Sequence, residues 1–162
     1  MQIQAQLPQI PVQTLMQRND IQLDLKRLDL VHPQISGNKF YKLKYNLQQA
    51  QQQGKSAVLT FGGAYSNHIA ATAYAAQRFG FQSIGIIRGQ ELATQDLNPT
   101  LQTAQDFGMQ LHFVSRAEYR LRHEVEYLQQ LQQQYPQAFI IPEGGSNALA
   151  IQGTQEILSP DD

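Results

Sequence analysis

The sequence predicts an α/β fold in which helices cover both faces of a parallel four-stranded sheet, giving three layers. From Ala57 onward, short apolar runs alternate with longer segments in which apolar residues recur at helical spacing. The connections are short, and two of them place a Gly-Gly pair directly after a strand. Strand–helix alternation with short connections is typical of parallel sheets joined by right-handed crossovers. We therefore expect ligand-binding loops at the carboxyl ends of the strands.

The predicted elements of this unit follow one another at regular spacing. The strands are expected at residues 57–61, 82–88, 110–114 and 138–142. The helices between them are expected at residues 66–79, 99–107 and 118–135. The last of these is predicted as one long amphipathic helix, because Leu121, Val125, Leu128 and Leu131 recur at helical spacing.

The segments on either side of the sheet have no obvious partner within it. Residues 1–20 are predicted as an extended arm, and the alternation over residues 21–30 predicts a half-exposed strand. A helix is expected at residues 38–53, with Phe40, Leu43, Leu47 and Ala50 on one face, and another begins at residue 148.

These observations suggest a division of the chain into three parts. The amino-terminal arm and first helix occupy residues 1–50, a small α/β domain occupies residues 51–147, and a further segment begins at residue 148 and runs to 162. We interpret the first and last parts as pieces of an incomplete second domain. Apolar surface on residues 21–50 is then expected to be exposed and to favour either self-association into a homo-oligomer or disorder.

Composition argues against several classes of function. The chain has 162 residues, 41% of them hydrophobic, and its net charge of −1 gives no electrostatic basis for binding nucleic acid or an anionic membrane. No apolar stretch is long enough to span a bilayer, and the amino terminus lacks the pattern of a secretory signal. The absence of cysteine excludes disulfides and thiolate metal sites, and the histidines lack metal-site spacing. We expect a cytoplasmic protein.

Lys39 is the first candidate for chemistry. It follows Ser-Gly-Asn at residues 36–38, a sequence that begins helices, so it is expected in a first helical turn. The helix dipole disfavours a cation there, and the like charges of Lys42 and Lys44 also lower its pKa. A lysine that forms a Schiff base must react as the neutral amine, which this location favours. The alternative is a solvated lysine without a role in chemistry.

Two glycine-rich loops are the next candidates. Residues 61–68, Phe-Gly-Gly-Ala-Tyr-Ser-Asn-His, end a buried strand and begin a helix whose free N–H groups can bind a carboxylate or phosphate. Residues 142–147, Pro-Glu-Gly-Gly-Ser-Asn, repeat this arrangement after another strand. The structural alternative is that Ser66 or Asn67 is an ordinary N-cap and that His68 faces solvent.

Three segments together resemble one enzyme family. Residues 35–45, Ile-Ser-Gly-Asn-Lys-Phe-Tyr-Lys-Leu-Lys-Tyr, are similar to its Gly-Asn-Lys-x-Arg-Lys-Leu segment. Residues 61–68 and 141–147 are similar to its Gly-Gly-x-x-Ser-Asn-His/Gln and Ile-Pro-Glu-Gly-Gly-Ser/Thr-Asn segments. The sequence thus resembles the amino-terminal half of the family that includes 1-aminocyclopropane-1-carboxylate deaminase and D-cysteine desulfhydrase. This family belongs to the tryptophan-synthase-β-like, fold type II class of pyridoxal 5'-phosphate enzymes.

The resemblance implies roles for four residues. Lys39 would hold pyridoxal 5'-phosphate covalently and carry the α-proton of a small amino-acid substrate. Ser66, with N–H groups of its helix, would bind the substrate carboxylate and take part in acid–base catalysis. Asn67 would donate to the phenolic oxygen of the cofactor. His68 is grouped with the cofactor-binding residues, and it stands where the deaminase has glutamine and the desulfhydrase histidine, which favours an amino-acid lyase.

The sequence also departs from the family. Members are longer, and this sequence lacks the later glycine- and threonine-rich loop that binds the cofactor phosphate. We therefore expect a truncated deaminase or desulfhydrase that binds the cofactor weakly and turns over little or nothing. Two alternatives stay open: a non-enzymatic α/β remnant, and an unrelated nucleotide-binding module that uses Gly62 and Gly63 to approach a phosphate.

Overall fold

The computed structural model describes residues 10–158 and contains two sheets. The first is an antiparallel hairpin of β1 (Val12–Arg18) and β2 (Ile21–Lys26). The second has the order β5-β4-β3-β6 and is parallel throughout, with strands β3 (Ala57–Gly63), β4 (Gln82–Arg88), β5 (Met109–Val114) and β6 (Ala138–Ile140). The α-helices are α1 (Asn38–Gln52), α2 (Asn67–Phe79), α3 (Pro99–Asp106), α4 (Arg116–Arg120), α5 (Val125–Gln134) and α6 (Ala148–Thr154).

Helices cover both faces of the parallel sheet, so the predicted three-layer α/β fold is confirmed. On one face, Leu43 and Leu47 of α1 pack with alanines of α2 against Val58. Ile69 of α2 and Leu101 of α3 extend this layer toward β4 and β5. On the other face, α4 and α5 pack against β3 and β4. The helices contribute Tyr119, Tyr127 and Leu131, and the strands contribute Leu59, Phe61, Ile84 and Ile86. Successive residues of β3 therefore point to opposite helix layers, as the strand pleat requires.

The prediction of one long helix at residues 118–135 is wrong. α4 ends at Arg120, a 3₁₀ turn follows, and Glu124 is extended with φ −78° and ψ 136° before α5 begins. The break lets Arg122 donate to the carboxylate of Glu143 and to the carbonyl of Tyr119. The local bond to Tyr119 and the tertiary bond to Glu143 hold the turn against the helical periodicity, and Leu121 and Val125 consequently face solvent.

The expectation that both flanking segments lack a packing partner is wrong for α1 and α6. α1 contributes to the main core, and α6 lies against it so closely that a side chain at Gly153 would overlap the carbonyl of Tyr41. Lys44 and Tyr45 of α1 also donate to Glu156, which follows α6. α1 thus belongs to the helix layer on this face of the sheet, and α6 packs beside it. The division of the chain at residues 50 and 147 stays a prediction.

The hairpin departs from the prediction in two ways. Residues 12–18 form a strand where an extended arm is predicted; the part of that arm at residues 1–9 lies outside the described residues. β2 is exposed on both faces rather than half-exposed, because no described element covers it. Ile21, Leu23 and Leu25 are therefore solvent-accessible, as expected. The same expectation of exposed apolar surface, made for residues 21–50, is wrong for Leu43 and Leu47, which are buried.

Residues 10–158 lack two features. No helix within residues 10–158 is long and apolar enough to cross a membrane. The same residues contain no group of acidic and histidine side chains that could hold a metal ion.

Candidate active site

Lys39 lies in the first turn of α1, where the sequence predicts it. Gly37 precedes the helix with φ 65°, a conformation that favours glycine, and no side chain caps this helix end. The Lys39 Nζ donates to the carbonyl of Gly144, 3.3 Å away, and no carboxylate of residues 10–158 pairs with it. Burial, followed by the like charge of Lys42, lowers the pKa of the Lys39 amine. The neutral amine is thus more accessible than in a solvated lysine.

The loop after β6 passes between the beginnings of α1 and α2. Gly144 and Gly145 both have positive φ, 67° and 71°. A Cβ at Gly145 would lie 3.2 Å from Cε1 of His68 and 3.5 Å from Cβ of Lys42. Lys42 also donates to the hydroxyl of Ser146 over 2.9 Å. The glycine pair thus brings the amino-terminal turns of the two helices to one edge of the sheet, as the sequence predicts.

His68 is buried, so the alternative in which it faces solvent is wrong. Its Nε2 lies 2.9 Å from the hydroxyl oxygen of Thr60, which itself donates to the carbonyl of Ile141. Because the hydroxyl proton is used there, Nε2–H donates to Thr60 and Nδ1 keeps its lone pair. That Nδ1 has no hydrogen-bond partner in residues 10–158. Burial and the charges of Lys39 and Lys42 lower the pKa of His68 to about 3, so the ring is neutral at pH 7.

Ser66 and Asn67 stand at the beginning of α2. Ser66 occupies the N-cap position, but its side chain makes no capping hydrogen bond, in contrast to Asn98 and Ser115 at the beginnings of α3 and α4. Asn67 is exposed to solvent. The free N–H groups of this helix turn can therefore donate hydrogen bonds to a bound anion, with the Ser66 hydroxyl beside them.

The matching Asn147 has a structural role. Its side chain accepts from the N–H of Ala150 to cap α6, and it exchanges hydrogen bonds with the buried Asn46 of α1. The second Gly-Gly-Ser-Asn loop therefore serves mainly to fix the glycine pair against α1.

Sequence reasoning missed Thr60. This residue lies inside the apolar strand β3, and its only signal is a hydroxyl in a run of buried positions. It fixes the tautomer of His68 through the hydrogen bond to Nε2, so it acts on the site through another side chain.

The residues fit an aldehyde cofactor that condenses with an amine. Lys39 supplies a half-buried amine with a lowered pKa and without a carboxylate partner. The unpartnered Nδ1 of the neighbouring His68 leaves one polar atom of the site unsatisfied. Lys39, Asn67 and His68 are the residues that would hold such a group, and Ser66 would face its substrate.

Comparison with known proteins points to one family. No family model matches the chain. It is 34% identical over 158 residues to a Thermotoga maritima protein named "Putative 1-aminocyclopropane-1-carboxylate deaminase", covering 94% of this chain and 50% of that protein. It is 31% identical over 144 residues to the mitochondrial bifunctional D-cysteine desulfhydrase/1-aminocyclopropane-1-carboxylate deaminase of Arabidopsis thaliana, covering 83% of this chain and 35% of that protein.

Solved structures agree on the fold. A crystal structure of an ACC deaminase homologue matches with a TM-score of 0.73 and 24% identity, covering 93% of this chain and 47% of that chain. A hydrogen sulfide-producing enzyme from Fusobacterium nucleatum matches with a TM-score of 0.57 and 9% identity, covering 83% of this chain and 42% of that chain. The chain spans half or less of the length of these relatives. By sequence and fold, it belongs to the family of 1-aminocyclopropane-1-carboxylate deaminase and D-cysteine desulfhydrase, within the fold type II pyridoxal-phosphate enzymes.

Proposed function

We propose that this chain carries pyridoxal 5'-phosphate on Lys39 and contributes to the deamination or desulfhydration of a small amino acid. The observation that supports this most is the Lys39 amine, which lies against Gly144 with a lowered pKa and without an acidic partner in residues 10–158. The names of the relatives suggest 1-aminocyclopropane-1-carboxylate and D-cysteine as candidate substrates.

The bound cofactor would supply an electron sink for charge that develops at the α-carbon of the substrate. The amino-terminal turn of α2, with the Ser66 hydroxyl, would bind and orient the substrate carboxylate. With D-cysteine, the Lys39 Nζ would take up the α-proton, a task that requires the neutral amine. 1-Aminocyclopropane-1-carboxylate has no hydrogen on its α-carbon, so with that substrate Lys39 would exchange protons with a ring methylene carbon instead. His68 would remain uncharged through the cycle, because burial, the largest cause of its lowered pKa, and the charge of Lys42 disfavour its protonation.

Covalent labelling tests this proposal directly. The purified chain is incubated with pyridoxal 5'-phosphate, reduced with borohydride, digested and mapped by mass spectrometry. We expect the adduct predominantly on Lys39, and we expect Lys39→Ala to abolish it. Lys55→Ala is the matched control, since Lys55 donates to the carbonyl of Pro136 away from the site, and it should leave the yield unchanged. Equal labelling of Lys42, Lys44 and Lys55 would contradict the proposal.

A ligand titration tests the substrate class. D-cysteine or 1-aminocyclopropane-1-carboxylate is added to the loaded chain while the cofactor absorbance is recorded. We expect a saturable spectral change with at least one of them, weakened in Ser66→Ala. Because the chain spans half or less of its relatives' length, we propose that the isolated chain holds the cofactor weakly and turns over slowly. A spectrum that no small amino acid alters would argue against this site.

A further inference from the structure

A group of arginines surrounds a cavity on the other side of the loop after β6. Four guanidinium side chains and one tyrosine line this space, which has a volume of about 490 Å³ and is defined by Arg88, Arg116, Tyr119, Arg120 and Arg122. We call it the arginine pocket. Arg88 ends β4, and the others belong to α4 and the turn that follows it.

The arginine pocket lies at the carboxyl edge of the sheet. Alternation along β4 places Arg88 on the face covered by α4 and α5, opposite the face that carries α1. A Cβ at Gly63 would lie 3.6 Å from Nη2 of Arg88, so the end of β3 forms a wall without a side chain. Ligands of parallel α/β sheets bind at this edge.

Tyr119 and Glu143 fix one arginine in place. The buried Tyr119 donates its hydroxyl to Oε1 of Glu143 over 2.7 Å, and the Nε of Arg122 donates to Oε2 over 2.6 Å. The guanidinium of Arg122 also lies 4.8 Å from the centre of the Tyr119 ring. Burial alone would raise the pKa of Glu143, but the hydrogen bonds from Tyr119 and Arg122 lower it, so Glu143 stays ionised.

The remaining arginines lack such partners. Arg116 approaches Glu91 at 3.7 Å, with both side chains largely exposed, and Arg88 and Arg120 pair with no carboxylate of residues 10–158. Four guanidinium groups and two carboxylates leave a surplus of two positive charges around the cavity. An unoccupied cluster of like charges is unfavourable, and it becomes favourable when an anion binds.

We propose that the arginine pocket binds the phosphoryl group of a small molecule. A phosphoryl group carries up to two negative charges and three terminal oxygens, which matches the charge surplus and the forked donors of arginine. A monocarboxylate has half that charge and two acceptor oxygens. The phosphoryl group can belong to a separate phosphorylated molecule or to the cofactor on Lys39. This proposal is based on Arg88 and its neighbouring arginines, so it does not depend on the proposed role of Lys39.

Titration with inorganic phosphate tests the pocket. Binding is followed by calorimetry or by ¹H–¹⁵N chemical shifts at low salt, and we expect saturable binding with the largest shifts at Gly63, Arg88 and Arg120. The double variant Arg88→Ala/Arg120→Ala should weaken binding at least tenfold, and it keeps Arg122 and its fold-supporting contacts. Arg78→Ala, at the opposite end of α2, is the single-charge control and should leave the affinity within twofold. Absence of saturable binding, or equal affinity in the double variant when circular dichroism shows it folded, would overturn the proposal.

A second titration identifies the source of the phosphoryl group. In Lys39→Ala, displacement of phosphate by pyridoxal 5'-phosphate but not by pyridoxal assigns the pocket to the cofactor's own phosphate. Phosphate binding that pyridoxal 5'-phosphate leaves unaltered assigns it to a separate phosphorylated ligand. Either result supports phosphoryl recognition. Pyridoxal has no phosphate, so its attachment to Lys39 in the wild-type chain tests the proposed function alone. A failure of the proposed function can therefore be distinguished from a failure of the arginine pocket to bind phosphate.

Discussion

The loop after β6 separates two regions of opposite electrostatic character. On the α1 side, the Lys39 amine and the His68 ring are both driven toward their neutral forms by burial and like charge. On the α4 side, Glu143 stays ionised between Tyr119 and Arg122, within a group of four arginines. Neighbouring residues of one loop, Glu143 and Gly144, serve the two regions. The difference teaches that one loop can present a carboxylate side chain to one region and only a backbone carbonyl to the other.

On the α1 side, substitution of Gly145 should cause the largest loss of folding stability among the variants considered. We expect Gly145→Ala to lower the free energy of unfolding by about 3 kcal/mol, because it adds positive-φ strain to a close contact with His68 and Lys42. Gly54→Ala is the matched control, since Gly54 has φ 65° with no atom near its Cβ position, and it should cost about 1 kcal/mol. Urea denaturation measures both. Equal losses in the two variants would show that the contact with His68 contributes nothing.

The neutrality of His68 predicts a pH-dependent stability. Its pKa is about 3 in the folded chain and about 6.5 when unfolded, so the unfolded state binds the extra proton between these values. This contribution to stability is complete above pH 6.5 and falls by about 1.4 kcal/mol for each pH unit below it. At pH 5 the loss should reach about 2 kcal/mol. Denaturation of wild type and His68→Gln from pH 7 to 5 measures this difference, and parallel curves would contradict it.

On the α4 side, removal of the Tyr119 hydroxyl should lower the free energy of unfolding by a smaller amount. Tyr119→Phe deletes the hydrogen bond to Glu143, so we expect a loss of about 1 kcal/mol in stability and a rise in the pKa of Glu143. Carboxyl ¹³C chemical shifts across a pH titration report that pKa. Tyr65→Phe is the control, because Tyr65 is exposed, and it should change stability by less than about 0.5 kcal/mol. If the pKa of Glu143 were the same in Tyr119→Phe and in wild type, the Tyr119 hydroxyl would not stabilise the Glu143 carboxylate, and the prediction would be contradicted.

Local periodicity was sufficient to predict the parallel sheet, because its strands are apolar runs and its helices carry regular apolar faces. β4 begins and ends at the predicted residues, and α1 and α2 begin within one residue of prediction. The break at Glu124 was not predictable in this way. It depends on hydrogen bonds from Tyr119 and Arg122 to a residue of another loop, which a helical pattern does not encode.

Of the residues in the candidate site, some could be identified from the sequence and others could not. Lys39 was identifiable, since a helix-initiating sequence and the resemblance to a family both point to it. Thr60 was not, because only the register of β3 with β6 and the packing of α2 bring its hydroxyl between His68 and Ile141. The hairpin gave a third outcome: alternation correctly predicts the strand β2, but pattern alone cannot say whether any element covers its apolar face.

The most direct measurement is the titration of the Lys39 amine. Lysines are dimethylated with ¹³C-formaldehyde, Lys39 is assigned from Lys39→Arg, and the methyl signals are followed by NMR from pH 7 to 12. We expect the pKa of Lys39 below the usual lysine value of about 10.4, and we expect it to rise in Lys42→Met, which removes a nearby like charge. A Lys39 pKa at or above the usual value, left unchanged by Lys42→Met, would contradict the claim that burial and Lys42 make the neutral form of this amine more accessible.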